Sequence, residues 1–165
     1  MSATMAAATI HASAVLVGPR AVLIRGPSGV GKSQLAFALI DAARAGRLRF
    51  ARLIGDDRVL IETHHGRLLV RPAPALAGLI EMRGIGLCRL PFEPMGVVFL
   101  VVDLGASDAT RMPEPVAAAT DINGILLPRL GVAPEHDAFA TVMACLTTPA
   151  RPPLKAPVVA THHPP

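Results

Sequence analysis

The sequence predicts an α/β protein: a P-loop-containing mixed sheet with flanking helices. Residues 26–33 read Gly-Pro-Ser-Gly-Val-Gly-Lys-Ser, a complete G-x-x-x-x-G-K-S phosphate-binding loop. An apolar, strand-like run at 21–24 precedes this loop, and a helix-like stretch at 34–45 follows it. The chain has 165 residues with 52% hydrophobic content, enough for one sizeable core. We therefore expect a single domain over residues 1–146.

The first half of the chain is predicted to consist mainly of strands. Apolar runs at 14–17 and 21–24 flank Gly18-Pro19-Arg20, which predicts a hairpin leading into the loop. The helix after the loop has apolar residues at helical spacing and is expected to end near Gly46. Further strands are predicted, in chain order, at 50–54, 58–63, 67–71 and 96–104.

The C-terminal part is predicted to contain a last helix and a tail. Residues 134–146 have the length and apolar content of a packed helix. Residues 147–165 are rich in proline and small side chains, which predicts a disordered tail.

Composition argues against several kinds of partner. Sixteen basic residues outnumber twelve acidic ones, but the arginines are scattered and the chain has no Trp or Tyr, so no nucleic-acid-binding stripe is indicated. No apolar run is longer than that at 97–102, which is far too short to span a bilayer. Cys88 and Cys145 match neither a metal motif nor a disulfide framework. A soluble cytoplasmic protein is expected, with no membrane or nucleic-acid partner.

The loop predicts a nucleotide site. Its glycines permit backbone conformations that turn successive N–H groups towards phosphate, and the following helix adds its positive N-terminal end. Lys32 is expected to reach the β- and γ-phosphate oxygens, and the Ser33 hydroxyl to bind Mg²⁺. The predicted ATP-binding residues are Gly26, Pro27, Ser28, Gly29, Val30, Gly31, Lys32 and Ser33.

Several carboxylates are candidates for the metal or for proton transfer, both of which phosphoryl transfer requires. Asp56 and Asp57 end a short predicted strand, and since side chains alternate along a strand, we expect them to face different ways. Asp103 ends the buried run 97–102, a pattern that many P-loop enzymes use for Mg²⁺. Glu81 precedes a glycine-bearing turn. From the residues alone, the choice among these acids stays open.

Four landmarks together resemble one enzyme family. They are His11 ahead of the first predicted strand, the loop 26–33, Asp56-Asp57-Arg58-Val59, and Leu79-Ile-Glu-Met-Arg-Gly-Ile-Gly-Leu. The last stretch looks like the Leu-Glu-Ile-Arg-Gly-Leu-Gly-Ile signature of the HPr kinase/phosphorylase family. The resemblance is to its catalytic domain, in the short form that lacks the usual N-terminal domain.

The resemblance implies a kinase that uses ATP and Mg²⁺ to phosphorylate a serine of HPr, the phosphocarrier protein of the sugar phosphotransferase system, and that also runs the reverse phosphorolysis. It implies a fold of the phosphoenolpyruvate carboxykinase type and a homo-oligomer, usually a hexamer. Residues 127–132 only loosely resemble the family stretch tied to the reverse reaction, so the forward reaction is the main expectation.

Site roles follow from the same resemblance. Ser33 and Glu81 are expected as Mg²⁺ ligands, and Lys32 as the cation at the phosphates. One aspartate of the pair Asp56 and Asp57, with a preference for Asp57, is expected as the base. The resemblance also places His11 beside that carboxylate, assigns Arg111 to phosphate charge, and leaves Asp103 as structural.

Two other functions fit the residues. One is a small-molecule P-loop kinase that binds Mg²⁺ through Asp103, although no arginine-rich lid is evident between Gly105 and Asp121. The other is a non-catalytic module that senses ATP and docks a partner, in which Asp56 and Asp57 would be dispensable.

Overall fold

The phosphate loop lies between strand β3 (Arg20–Arg25) and helix α1 (Lys32–Arg44). The computed structural model describes residues 7–149, which form a nine-stranded mixed sheet, a separate two-stranded hairpin and two helices. This architecture confirms the α/β prediction. Neither helix in the described range is long and apolar enough to cross a membrane.

The elements follow the predicted order closely in the first half of the chain. Before the loop come β1 (Ala8–Ile10), β2 (Ser13–Val17) and β3. After α1 come β4 (Ala51–Gly55), β5 (Val59–His64), β6 (Arg67–Pro72), β7 (Leu79–Met82) and β8 (Gly86–Arg89). The last elements are β9 (Gly96–Leu104), β10 (Ala119–Ile122), β11 (Ile125–Val132) and α2 (Ala138–Thr147).

The large sheet is organised around β9. Its main path has the order β1-β5-β6-β9-β3-β2-β4, and β11 also pairs with the C-terminal half of β9. β9 is parallel to β3 and β11 but antiparallel to β6, so the sheet is mixed. The parallel pairing of β3 and β9 brings their C-terminal ends to one edge of the sheet, beside the phosphate loop.

Both faces of β3 are buried, which explains its continuous apolar run. Val22 and Ile24 pack with α1, α2 and β7 in one core, which contains Leu35, Leu39, Ile80, Val142 and other apolar side chains. Ala21 and Leu23 face a second core, formed with side chains of β2, β4, β5, β6, β9, β10 and β11. Two cores therefore hold the strand that carries the loop.

The prediction was incomplete in the last third of the chain. The hairpin β10–β11 was not predicted, although Asn123-Gly124 lies between its strands with positive φ angles of 54° and 79°. Asn-Gly between two apolar runs is a strong hairpin signal. Earlier in the chain, strands β1, β7 and β8 were also not predicted. Helix α2 begins at Ala138, four residues later than expected, because Asp137 caps it by accepting from the Ala140 N–H.

Residues 150–165, which make up most of the predicted disordered tail, lie outside the described residues. Helix α2 ends at Thr147, one residue beyond the predicted end of the domain.

Candidate active site

The loop is shaped for close backbone approach. Gly26 has a φ of +148°, and a Cβ there would lie 2.8 Å from the Leu104 carbonyl oxygen and 2.9 Å from a Val30 methyl. Gly31 precedes α1 with a φ of 107°, and no side chain caps the first N–H groups of the helix. The positive end of α1 therefore carries donors that can bind an anion.

Lys32 is buried, with 6% exposure, and its ammonium group lies folded against the loop. Its Nζ donates to the carbonyl oxygens of Gly26 at 2.8 Å and Pro27 at 3.0 Å. Burial lowers the pKa of Lys32 below its ordinary value, and the opposing effect of the Asp56 and Asp57 carboxylates does not offset it. The loop thus holds one desolvated cation.

Asp56 is a buried carboxylate held entirely by uncharged donors. Ser13 Oγ donates to it at 2.6 Å, Ser33 Oγ lies 2.8 Å from both its oxygens, and the Glu81 backbone N–H donates at 3.0 Å. Its exposure is only 2%. These bonds connect β2, the loop serine and β7 at one carboxylate, which therefore fixes the walls of the site.

Asp57 is exposed where Asp56 is buried, so the two side chains face different ways as expected. The cause differs from the expected one, because both residues follow the end of β4 at Gly55 and lie in a turn, not in a strand. The Arg58 N–H donates to the Asp56 carbonyl at 2.8 Å, and Asp57 has a φ of 66°. This i to i+2 bond makes a γ-turn centred on Asp57, and a γ-turn with a positive φ at its centre is rare and strained. The turn leaves the Asp57 side chain exposed, with one oxygen 3.1 Å from His11 Nε2.

A cavity of about 310 Å³ contains most of the predicted site. The loop contributes Ser28, Gly29, Gly31, Lys32, Ser33 and Gln34, and the opposite walls contribute His11, Ser13, Asp57, Glu81, Met82, Arg83, Gly84 and Gly86. Gly26, Pro27 and Val30 do not line the cavity. The Gly26 and Pro27 carbonyls accept hydrogen bonds from Lys32, and the Val30 N–H donates to the Pro27 carbonyl at 3.3 Å.

Two of the cavity side chains that had no role assigned from the sequence make hydrogen bonds to predicted site residues. Ser13 binds Asp56, and its signal was a serine at the start of an otherwise apolar strand. Arg83 extends from the turn after β7, and its Nη2 donates to the Gly29 carbonyl at 3.3 Å. Its signal was its position inside the glycine-bearing motif at 79–87.

Arg111 is the predicted site residue that the structure does not bring to the cavity. It is exposed in the segment between β9 and β10, and it is not among the residues that line the cavity. The arginine present in the cavity is Arg83.

Asp103 lies at the end of β9 and is held by two arginines. Arg25 donates Nε at 2.7 Å and Nη2 at 2.8 Å, and Arg129 Nε lies 2.5 Å away. Arg129 also binds Asp108 through both terminal nitrogens at 2.9 Å. Burial disfavours the charged form of Asp103, but the two arginines outweigh this effect and lower its pKa. Asp103 does not line the cavity.

The residues fit a magnesium ion that is shared with a phosphate ligand. Mg²⁺ typically takes one or two carboxylates together with substrate phosphates and water. Within residues 7–149 there is no cluster of three or more His, Cys, Asp or Glu that could hold a metal without a further ligand. Ser33 and Asp56, in direct contact beside the cavity, and Glu81 on its wall supply the hard oxygen atoms that Mg²⁺ prefers.

Known proteins resemble the chain in both sequence and structure. Over 77 residues it is 38% identical to an HPr kinase/phosphorylase of Mycoplasma mycoides subsp. mycoides, a match covering 47% of this chain and 22% of that protein. Over 80 residues it is 41% identical to an HPr kinase/phosphorylase of Levilactobacillus brevis, covering 48% and 24%. The chain therefore matches about a quarter of the length of these relatives.

A solved structure of the Hpr(Ser) kinase/phosphatase from Coxiella burnetii matches with a TM-score of 0.68 and 25% identity, over 84% of this chain and 93% of that one. A family model described as the HPr Serine kinase C-terminal domain matches residues 3–91, which include the loop, both aspartates of the pair and the motif at 79–87. Since this match spans more than half of the sequence, the chain belongs to the HPr serine kinase C-terminal domain family.

Proposed function

We propose that this protein is an ATP- and Mg²⁺-dependent kinase that phosphorylates a serine of HPr. The observation that carries the proposal is the position of Asp57, an exposed carboxylate in the same cavity as Lys32 and Ser33. A phosphate loop alone fits many nucleotide-binding proteins, whereas an accessible base beside it fits transfer to a hydroxyl. Family membership and the names of the relatives supply the acceptor.

ATP binding follows from the charge and donors of the loop. The phosphates lie against the N-terminal end of α1, and Lys32 exchanges its contacts with the Gly26 and Pro27 carbonyls for phosphate oxygens. Because Lys32 is desolvated in the loop, charge-assisted bonds to phosphate are strong there. Mg²⁺ bound at Ser33, with Asp56 and Glu81 beside it, would neutralise phosphate charge.

Transfer needs one proton acceptor. In the forward direction the serine hydroxyl of HPr gives its proton to Asp57 as its oxygen bonds to the γ-phosphorus, and the bond from that phosphorus to the β–γ bridging oxygen of ATP breaks to release ADP. His11, 3.1 Å from Asp57, orients the carboxylate towards the incoming hydroxyl. Asp56 is less suited as the base because it is buried and its oxygens are already bound by two hydroxyls and an N–H.

The reverse reaction can use the same carboxylate. Protonated Asp57 would return its proton to the serine oxygen as inorganic phosphate takes the phosphoryl group. We rank phosphorolysis below the kinase reaction. The stretch 127–132 only loosely resembles the family stretch tied to the reverse reaction, and its Arg129 is bound by Asp103 and Asp108.

We further propose Arg83 as the arginine that meets the charge of the transferred phosphoryl group. It lines the cavity, and its contact with the Gly29 carbonyl holds the guanidinium beside the loop that would bind the phosphates. Arg111, outside residues 3–91 and outside the cavity, would need its segment to move before it could take this role.

The small-molecule kinase with Asp103 as metal ligand is less well supported. Two arginines already neutralise Asp103, and an additional cation there would be repelled by both. An ATP-sensing module would have the same nucleotide site, but its function would not depend on Asp57, so the Asp57→Asn variant distinguishes it from the kinase.

The test is incubation of the purified protein with γ-labelled ATP, Mg²⁺ and HPr, with intact-mass detection of phospho-HPr. Lys32→Ala is expected to lower the transfer rate about 10²–10³-fold, since one charge-stabilising donor at the phosphates is lost. Asp57→Asn is expected to lower kcat about 10²–10⁴-fold with ATP binding retained. Arg83→Ala is expected to reduce kcat more than Arg111→Ala does.

Asp103→Asn serves as the matched control, because it removes one carboxylate charge near the loop but outside the cavity. Full activity in Asp57→Asn would refute the role of Asp57 as base. Unmodified HPr in the presence of bound ATP would refute the proposed acceptor and favour the ATP-sensing module.

A further inference from the structure

Although the arginines are scattered over the chain as a whole, five of them lie together at the end of α1 away from the phosphate loop. Arg44, Arg49 and Arg52 line one cleft, and Arg20, Arg47 and Arg49 line a second. The two clefts share Arg49 and Phe50, so the five arginines form one continuous surface, which we call the arginine surface. Arg44 lies twelve residues along α1 from Lys32, about 18 Å at the rise of an α-helix. The arginine surface is therefore separate from the active site.

Four of these arginines are stacked on phenylalanine rings. The guanidinium carbon lies 4.6 Å from the ring centre in the pair Arg20–Phe99 and 5.2 Å in the pairs Arg47–Phe139 and Arg52–Phe50. The fourth pair, Arg44–Phe37, has a separation of 5.8 Å. Stacking of this kind orients the planar guanidinium and reduces the entropy lost when it binds a carboxylate. Four of the five phenylalanines in the sequence are used in this way.

The charge of this surface is mostly uncompensated. Arg52 pairs with Glu93 at 2.8 Å. Among residues 7–149, no carboxylate lies within ion-pair distance of Arg20, Arg44, Arg47 or Arg49. All four are exposed. By contrast, Arg25 and Arg129 near the loop are paired with aspartates.

We propose that the arginine surface docks an extended acidic segment of a partner protein. Carboxylates spaced along such a segment can accept bidentate hydrogen bonds from successive guanidinium groups. The second cleft, about 490 Å³ in volume, has apolar walls that include Leu48, Phe99 and Leu146, so it can also take an apolar side chain placed between the acids. This surface gives the protein a binding site for a partner that acts independently of the phosphate-transfer site.

The shape of the surface favours a polypeptide over two other polyanions. The arginines line clefts on both sides of Phe50, whereas a lipid headgroup layer would need a flat basic face. Nucleic acid binding commonly uses exposed aromatic faces for base stacking, and four of the phenylalanine rings here are covered by guanidinium groups.

The test uses a fluorescent deca-glutamate peptide and the full chain, with anisotropy read at about 0.1 M salt, where surface charges are partly screened. Arg47→Gln/Arg49→Gln is expected to weaken binding about tenfold. The matched control, Arg67→Gln/Arg89→Gln, removes the same charge at exposed positions outside both clefts and is expected to change binding less than twofold. Arg47→Lys/Arg49→Lys keeps the charge without the planar group, and its affinity for the peptide is expected to lie between those of the two glutamine variants.

Thermal unfolding and ATP binding of each variant show that the fold and the nucleotide site are intact. Absence of peptide binding by the wild-type protein, or equal weakening in the control pair, would overturn the proposal. Tighter binding of phosphatidylserine vesicles or of duplex DNA, with the same dependence on Arg47 and Arg49, would also overturn it by assigning the surface to another polyanion. Self-association that is lost in Arg47→Gln/Arg49→Gln would overturn it in favour of a second copy of the chain.

Discussion

Two aspartates near the phosphate loop, Asp56 and Asp103, have opposite surroundings. Asp56 follows β4, and Asp103 lies in β9, on the other side of β3. Uncharged donors hold Asp56, whereas Arg25 and Arg129 hold Asp103. Within the described part of the chain, no cation is hydrogen-bonded to the first carboxylate, so it can contribute to binding a metal ion, whereas two arginines are paired with the second. The charge of the neighbours, more than the residue type or its distance from the loop, decides which acid can serve the chemistry.

The two aspartates also differ in role, because Asp56 contacts the nucleotide site and Asp103 connects strands of the sheet. Asp56 binds the loop serine directly, so it acts on the group expected to hold Mg²⁺. Asp103 joins β3, β9 and β11, and Arg129 extends the connection to Asp108 in the segment after β9. A change at either aspartate should therefore alter a different property of the protein.

Between Asp56 and Asp103, the largest expected effect is on activity, at Asp56. Asp56→Asn removes the charge beside Ser33 while keeping the shape, and we expect the Mg²⁺ concentration for half-maximal phosphorylation to rise about 10–100-fold. Titration of Mg²⁺ in the HPr assay measures this shift. Asp103→Asn, as the matched change on the other side of β3, is expected to leave the Mg²⁺ requirement within about twofold. Equal shifts in the Mg²⁺ requirement of both variants would contradict the inference that Asp56, and not Asp103, supports the metal.

The next effect is on stability, at Asp103. Asp103→Asn leaves Arg25 and Arg129 without their shared partner, and we expect the free energy of unfolding to fall by about 2 kcal/mol. This is less than for a fully buried pair, because the Asp103 side chain keeps 17% exposure. Urea unfolding followed by circular dichroism measures it. A fall in kcat measured under conditions where the variant is fully folded would contradict a purely structural role for Asp103.

The smallest effect is the pH dependence of that stability. The arginines lower the pKa of Asp103 in the folded state, so its contribution is fully present above the ordinary value of 3.8 and is lost as the pH falls through the lower folded value. The stability difference between wild type and Asp103→Asn should therefore be constant near neutral pH and shrink on acidification. Urea unfolding at a series of pH values measures this difference. A difference that grows on acidification would contradict the assignment.

Local patterns predicted much of the fold and the location of the site. The loop at 26–33, the helix after it and the strands from β2 to β6 follow from spacing and turn residues within short windows. The hairpin β10–β11 had a readable Asn-Gly signal that was not used. The start of α2 depended on a cap at Asp137 that competed with an apolar pattern extending further back.

The sequence by itself determined that a phosphate loop, an acid pair and a glycine-bearing motif are present, because each consists of consecutive residues whose chemistry is local. The tertiary structure decided how the carboxylates differ. The donors to Asp56 lie 43, 23 and 25 residues away in the chain, and those to Asp103 lie 78 and 26 residues away. It also placed Arg83 in the cavity and Arg111 outside its lining. Burial and charge pairing arise from contacts between distant segments, so no pattern within one segment determines them.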